Sequence, residues 1–121
     1  MSTASTVMEK ISAAATSWPG VTSGYGTRGE LAFKVGSREI GHLHGNSVAH
    51  FAFPREVWAG LRKEGRIVPH PIFPDSPGLA ARRIDNDTDV LDVIVLLRIN
   101  YDRIVARHGL PAADEVGAPA T

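Results

Sequence analysis

Apolar residues recur at helical spacing near the start of the chain. Val7, Met8, Ile11 and Ala14/Ala15 form one stripe, which predicts a helix over residues 3–17. Ser2, Thr3 and Ser5 are candidate caps, and Trp18-Pro19-Gly20 stops the helix. Residues 21–29 read as a glycine-rich connection. The pattern then switches to strict alternation: Leu31, Phe33 and Val35 on one face, Glu30, Ala32 and Lys34 on the other, a half-buried strand. Gly36-Ser37 reads as a two-residue hairpin turn that pairs Lys34 with Glu39 and Phe33 with Ile40. Arg38 to His44 is the second strand, Gly45-Asn46 a second two-residue turn, and Ser47 to Phe53 the third strand. By parity Ala49, Phe51 and Phe53 join Phe33 and Ile40 on the buried face.

Pro54 suits the first turn of a helix whose stripe is Val57, Trp58 and Leu61, with Gly65 as its end. Ile67-Val68 reads as a short strand within 67–70, and Leu79 to Ile84 as a final strand. Between them, prolines 69, 71, 74 and 77 stiffen a loop. The longest periodic segment, 88–108, carries Val90, Leu91, Ile94, Leu97, Ile99, Tyr101, Ile104 and Val105 on a broad apolar face. Asp87, Asp89 and Asp92 complement its positive end, and Arg103, Arg107 and His108 its negative end. The order α-β-β-β-α-β-β-α predicts an α+β fold, an antiparallel sheet with helices on one face. One domain spans 1–109, and 110–121 reads as a disordered tail.

Composition narrows the function classes. The 121 residues suffice for one core, and 13 basic against 13 acidic residues leave no net charge, which argues against a nucleic-acid partner. The absence of cysteine excludes disulfides, thiolate metal sites and a thiol nucleophile. There is no apolar run of roughly 18 residues and no signal-peptide pattern. The expectation is a soluble cytoplasmic domain without a membrane partner, with homo-oligomerisation left open.

Four segments carry candidate chemistry. Gly24-Tyr25-Gly26-Thr27-Arg28-Gly29 matches a dinucleotide fingerprint, but a strand follows it where the phosphate site needs a helix. His42 and His44 stand two apart on a strand and so share a face. The spacing Gly36-x5-His42-x-His44 opens like a cupin metal motif, but no glutamate follows at Val48 or Ala49. The predicted register puts both histidines on the face of Phe33 and Phe51 and turns His50 away, unless the turn has three residues. With the third ligand missing, no tightly bound metal is expected. In the proline loop, His70, Asp75 and Ser76 lack the elbow that a serine nucleophile needs, and read as the polar wall of a small-molecule site. Arg82 and Arg83 point to opposite faces of the last strand, where one needs an acidic partner or an anionic ligand.

Three stretches together resemble one family: Gly36-Ser37-Arg38-Glu39-Ile40-Gly41-His42-Leu43-His44-Gly45, then Pro69-His70-Pro71 through Asp75-Ser76, then Leu96-Leu97-Arg98-Ile99-Asn100-Tyr101. They are similar to the small luciferase-type domains, which include bacterial proteins of unassigned role and the luciferase of luminous fungi. The resemblance covers about residues 10–105. It implies a cofactor-free oxygenase acting on a small aromatic or enolic molecule, or a protein descended from one. His42, His44 and His70 would then be the candidate bases. Arg82 or Arg83 would hold an enolate, Asp75 and Ser76 would contact the ligand, and Phe33 and Phe51 would floor the site. The competing readings are a non-catalytic ligand-binding module and an interaction domain.

Overall fold

The computed structural model describes residues 5–111. Its elements are α1 (Val7–Thr16), β1 (Val21–Tyr25), β2 (Leu31–Val35), β3 (Arg38–His44), β4 (Val48–Ala52), α2 (Arg55–Lys63), β5 (Val68–Pro69), β6 (Leu79–Arg83) and α3 (Asp87–His108). The strands form one antiparallel sheet in the order β1-β2-β3-β4-β6-β5, with α1 and α3 packed against one face. The α+β architecture and the predicted order of elements are those observed, with one strand added. That strand is β1, in the segment read as a connection. It pairs with β2 at the sheet edge and buries only Val21, so it carries no alternation to read.

Local chemistry sets the helix ends. Thr6, rather than Ser2, Thr3 or Ser5, caps α1: its hydroxyl accepts from Glu9 N–H, and the Glu9 carboxylate returns the bond to Thr6 N–H. Asn86 caps α3 through Asp89 N–H. At the other end of α3, Pro111 lies close to Gly20 and Gly36. The rest of the expected tail lies outside the described residues.

The β2–β3 hairpin departs from the simple register. Lys34 opposes Glu39 as expected, but Phe33 opposes Gly41 rather than Ile40. Ile40 is the extra residue of a β-bulge, and every residue after it changes face. Ile40 and Leu43 therefore point into the core, while His42 and His44 emerge on the face opposite α1 and α3. The placement of His42 and His44 beside Phe33 and Phe51 is thus corrected. A Cβ on Gly41 would lie 2.6 Å from Leu97 and 3.0 Å from Phe51, so the bulge lets α3 approach β3 closely.

The core sits between the sheet and the two helices and includes Ile11, Phe33, Ile40, Leu43, Phe51, Val93, Leu96 and Leu97. One residue expected on the apolar face of α3 differs. Leu91 is exposed, while Val93 and Leu96 take the buried positions. Asn100 is fully buried and donates from its side-chain amide to the carbonyls of Ile40 (3.1 Å) and Ala52 (3.0 Å). Its oxygen accepts from Arg103, so its polar atoms are matched. Tyr101 donates its hydroxyl to the Pro19 carbonyl at 2.6 Å, tying α3 to the end of α1.

Candidate functional site

The bulge and one turn assemble a histidine cluster on the sheet face away from the helices. The β3–β4 turn spans Gly45, Asn46 and Ser47, three residues, so His44 opposes Val48 and His42 opposes His50. His50 therefore joins the pair that it was expected to leave. Directly opposed residues of an antiparallel pair share a face. The ring centroids of His42 and His50 stand 5.3 Å apart, those of His44 and His50 4.5 Å, and those of His42 and His44 4.9 Å. One ring nitrogen from each of the three can be chosen so that all lie within 4.8 Å of one another.

His70 enters from the other side. On β6, Ala81 is the Cα partner of both His50 and Val68, and its small side chain leaves room above the sheet. His70 follows Pro69 at the end of β5, and its ring lies 4.4 Å from that of His50. The start of the proline loop thus meets the histidine pair, with His50 as the bridge. Phe73, half exposed in the same loop, lies 5.4 Å from the His70 ring and gives the cluster an aromatic border.

Hydrogen bonds fix two of the four tautomers. Glu39 accepts from His42 Nδ1 at 2.9 Å, which places a proton on Nδ1 and leaves the Nε2 lone pair free. Ile72 N–H donates to His70 Nδ1 at 3.2 Å, so the neutral His70 ring carries its proton on Nε2. His50 is 9% exposed. Burial, then the neighbouring His44, His70 and His42, push it down to about 4. Burial also lowers His70, helped by His42 and His44. At neutral pH both rings are uncharged.

Of the other predicted site residues, Arg83 shares this face, whereas Phe33, Phe51 and Arg82 lie on the helix side. Phe33 and Phe51 are buried under α3 on the opposite face, so they cannot floor this site. Arg82 is clamped on the helix side: Nη2 donates to Asp89 at 2.6 Å, and Nη1 donates to Asp92 and, at 2.9 Å, to the Arg66 carbonyl. Arg66 completes the network with Asp92 at 2.6 Å. Arg82 is therefore structural, the charged pairing that a half-covered guanidinium requires. Arg83 pairs with Val48 in register, shares the histidine face and meets Asp85 at 3.2 Å. Asp75 and Ser76 lie in a turn closed by Ser76 N–H donating to the Phe73 carbonyl.

Sequence reasoning missed His50, Glu39 and Phe73. The signals available were the glycine of Ile40-Gly41 as a bulge site and Gly45-Asn46-Ser47 as a longer turn. Among the described residues, no helix is long and apolar enough to cross a membrane. No curated protein and no solved structure matches the chain. Residues 37–100 match the luciferase domain family, and this span runs from the β2–β3 turn to Asn100 and contains all four clustered histidines. With more than half of its length so matched, the chain belongs to the luciferase domain family.

Proposed function

We propose that the histidine face is the active site of a small-molecule oxygenase whose substrate is an enolic or phenolic compound. The observation that carries the reading is the convergence of His42, His44, His50 and His70, a set of imidazoles that offers both a proton acceptor and a hydrogen-bond donor to one small ligand. The exposed apolar residues Val68, Ile72 and Phe73 border the cluster and suit the carbon skeleton of such a ligand. His70 Nε2–H is a donor for the oxygen of an enolate, and Arg83 supplies positive charge on the same face.

The chemistry balances without an outside reductant. An imidazole takes the acidic proton of the substrate. The resulting anion gives one electron to O₂, and the two radicals combine in a new C–O bond. The peroxide then recovers the proton from the imidazolium. Substrate and O₂ sum to the hydroperoxide, whose collapse releases the energy.

The test uses 4-nitrocatechol, whose spectrum reports its ionisation, followed by a panel of hydroxypyrones and catechols in an oxygen electrode. The protein is expected to bind the probe as its anion below the probe's own pKa, and His50→Gln to lose that effect. Oxygen uptake with at least one panel member should depend on His50 and His70. Ionisation unchanged in both His50→Gln and His70→Gln would overturn the reading. Binding without uptake across the panel would make the domain a ligand-binding module instead.

A further inference from the structure

We propose that His42, His44 and His50 are the three protein ligands of one divalent transition-metal ion. The proposal extends the reading of this face and depends on it only for the identity of the ion's outer ligand.

Three features point to an ion. First, the three ligand atoms lie within 4.8 Å of one another. Metal–nitrogen bonds of about 2.0–2.1 Å require ligand atoms about 3.4 Å apart in a tetrahedral site. The remaining closure is within reach of small side-chain rotations on two adjacent, well-paired strands. Second, Glu39 holds His42 by Nδ1. This is the carboxylate–histidine arrangement that orients a metal ligand and raises its basicity, and it leaves Nε2 for the ion. Third, the site is incomplete as a closed structural centre. Three imidazoles leave a position for water or substrate, the arrangement of a catalytic ion.

His70 falls outside the ligand set. Its Nδ1 already accepts from Ile72 N–H, so its Nε2 bears a hydrogen and has no lone pair for a metal. From 4.4 Å beside His50 it is instead placed to donate to the ion's outer oxygen ligand. Three neutral imidazoles without thiolate suit Zn(II), Co(II), Fe(II), Ni(II) or Cu(II), and disfavour Mg(II) and Ca(II). When bound, such an ion would acidify an enolic hydroxyl, the task otherwise given to the free imidazole.

The experiment strips the full-length protein with chelator and titrates it with Co(II), followed by visible absorption, native mass spectrometry and displacement by Zn(II). One ion per chain is expected, with the intense absorption of a low-coordinate nitrogen site. His42→Gln, His44→Gln and His50→Gln should each lose the coloured site. Glu39→Gln should weaken it by about 10–100-fold. His70→Gln should bind Co(II) as the parent does. Circular dichroism checks that each variant is folded, and Glu39→Gln, on the surface, tests the site where a ligand variant fails to fold. Absence of binding by the parent, a coloured site that survives His50→Gln, or its loss in folded His70→Gln would overturn the assignment. Ionisation of 4-nitrocatechol by the stripped protein separates the two readings. If it persists while Co(II) does not bind, the ion fails and the oxygenase reading stands. If Co(II) binds but neither form ionises the probe, the reverse holds.

Discussion

Asn100 donates its amide to the carbonyl of Ile40 at 3.1 Å, from within α3 to the bulged residue of β3. The contact joins the helix side of the sheet to the chemistry on the other side. Ile40 is the residue whose insertion turns His42 and His44 outward. The same amide reaches the Ala52 carbonyl at the end of β4, the strand that carries His50. One buried side chain thus fixes both strands of the cluster from behind.

Asn100→Ala should therefore cost more than its volume suggests. The buried carbonyl of Ile40 would lose its donor, at about 1–3 kcal/mol, the part-buried carbonyl of Ala52 would lose one too, and a small void would open beside Leu96 and Leu97. A total loss of about 2–5 kcal/mol is expected in urea unfolding. Histidine ring resonances in NMR spectra should also shift, although no histidine touches the substituted residue. A loss below about 1 kcal/mol would show that the bulge is held by the strand pairing alone.

Gly41→Ala tests the close approach of α3. The added methyl would press on Leu97 and Phe51, both almost fully buried. Overpacking of this kind costs about 1–3 kcal/mol. Leu97→Ala should cost about 2–5 kcal/mol by leaving a cavity at the same place. In the double variant the methyl would occupy part of that cavity. Its loss should be smaller than the sum of the single losses, and strict additivity in thermal or urea unfolding would contradict the contact.

The strands and helices were legible because their burial is periodic. Phe33, Ile40 and Phe51 do share the core face, and the long final helix runs from Asp87 to His108. The site was less legible because it depends on two single-residue insertions. A bulge at Ile40 and a third residue in the Gly45-Asn46-Ser47 turn leave composition and alternation almost unchanged, yet each reverses the face of everything beyond it. The predicted parity therefore put His42 and His44 on the wrong side and sent His50 away. His70 reaches the cluster from the end of β5, by a path that depends on neither insertion. The alternation of the last strand shows that one of Arg82 and Arg83 needs a partner, but it does not say which, and Asp89 and Asp92, which bind Arg82, look in the sequence like charges at a helix start.

Arg82→Met separates structure from chemistry. It would leave Asp89 and Asp92 without the cation that spans them, although Arg66 still reaches Asp92. Losing that cation should lower the midpoint of urea unfolding, by less than a core truncation does, because both carboxylates stay open to solvent. Because Arg82 lies on the helix side, probe ionisation and metal binding should be unchanged in the folded variant. Loss of either with the fold intact would return Arg82 to the site.

The metal-free protein should lose stability on mild acidification, and His50 should be the main cause. Four groups face it or its immediate neighbours: His42 and His44 from β3, His70 from the end of β5, and Glu39 through its bond to His42. Burial and the three other imidazoles hold His50 at about 4, against about 6.5 in the unfolded chain. Above the unfolded value neither state is protonated at this residue, and its contribution is constant. As pH falls from about 6.5 toward 4, the unfolded chain takes up a proton that the folded chain refuses, so stability declines. Below the folded value both states carry the proton and the decline ends. The loss should be on the order of 2 kcal/mol after allowance for solvent over the cluster. His70, lowered for the same reasons, adds in the same direction. Thermal unfolding of His50→Gln between pH 7 and pH 4 should show a visibly flatter profile than the parent, both measured in chelator. If the two profiles coincide, the cluster does not hold His50 below its unfolded value, and burial among the other imidazoles is not what governs its proton.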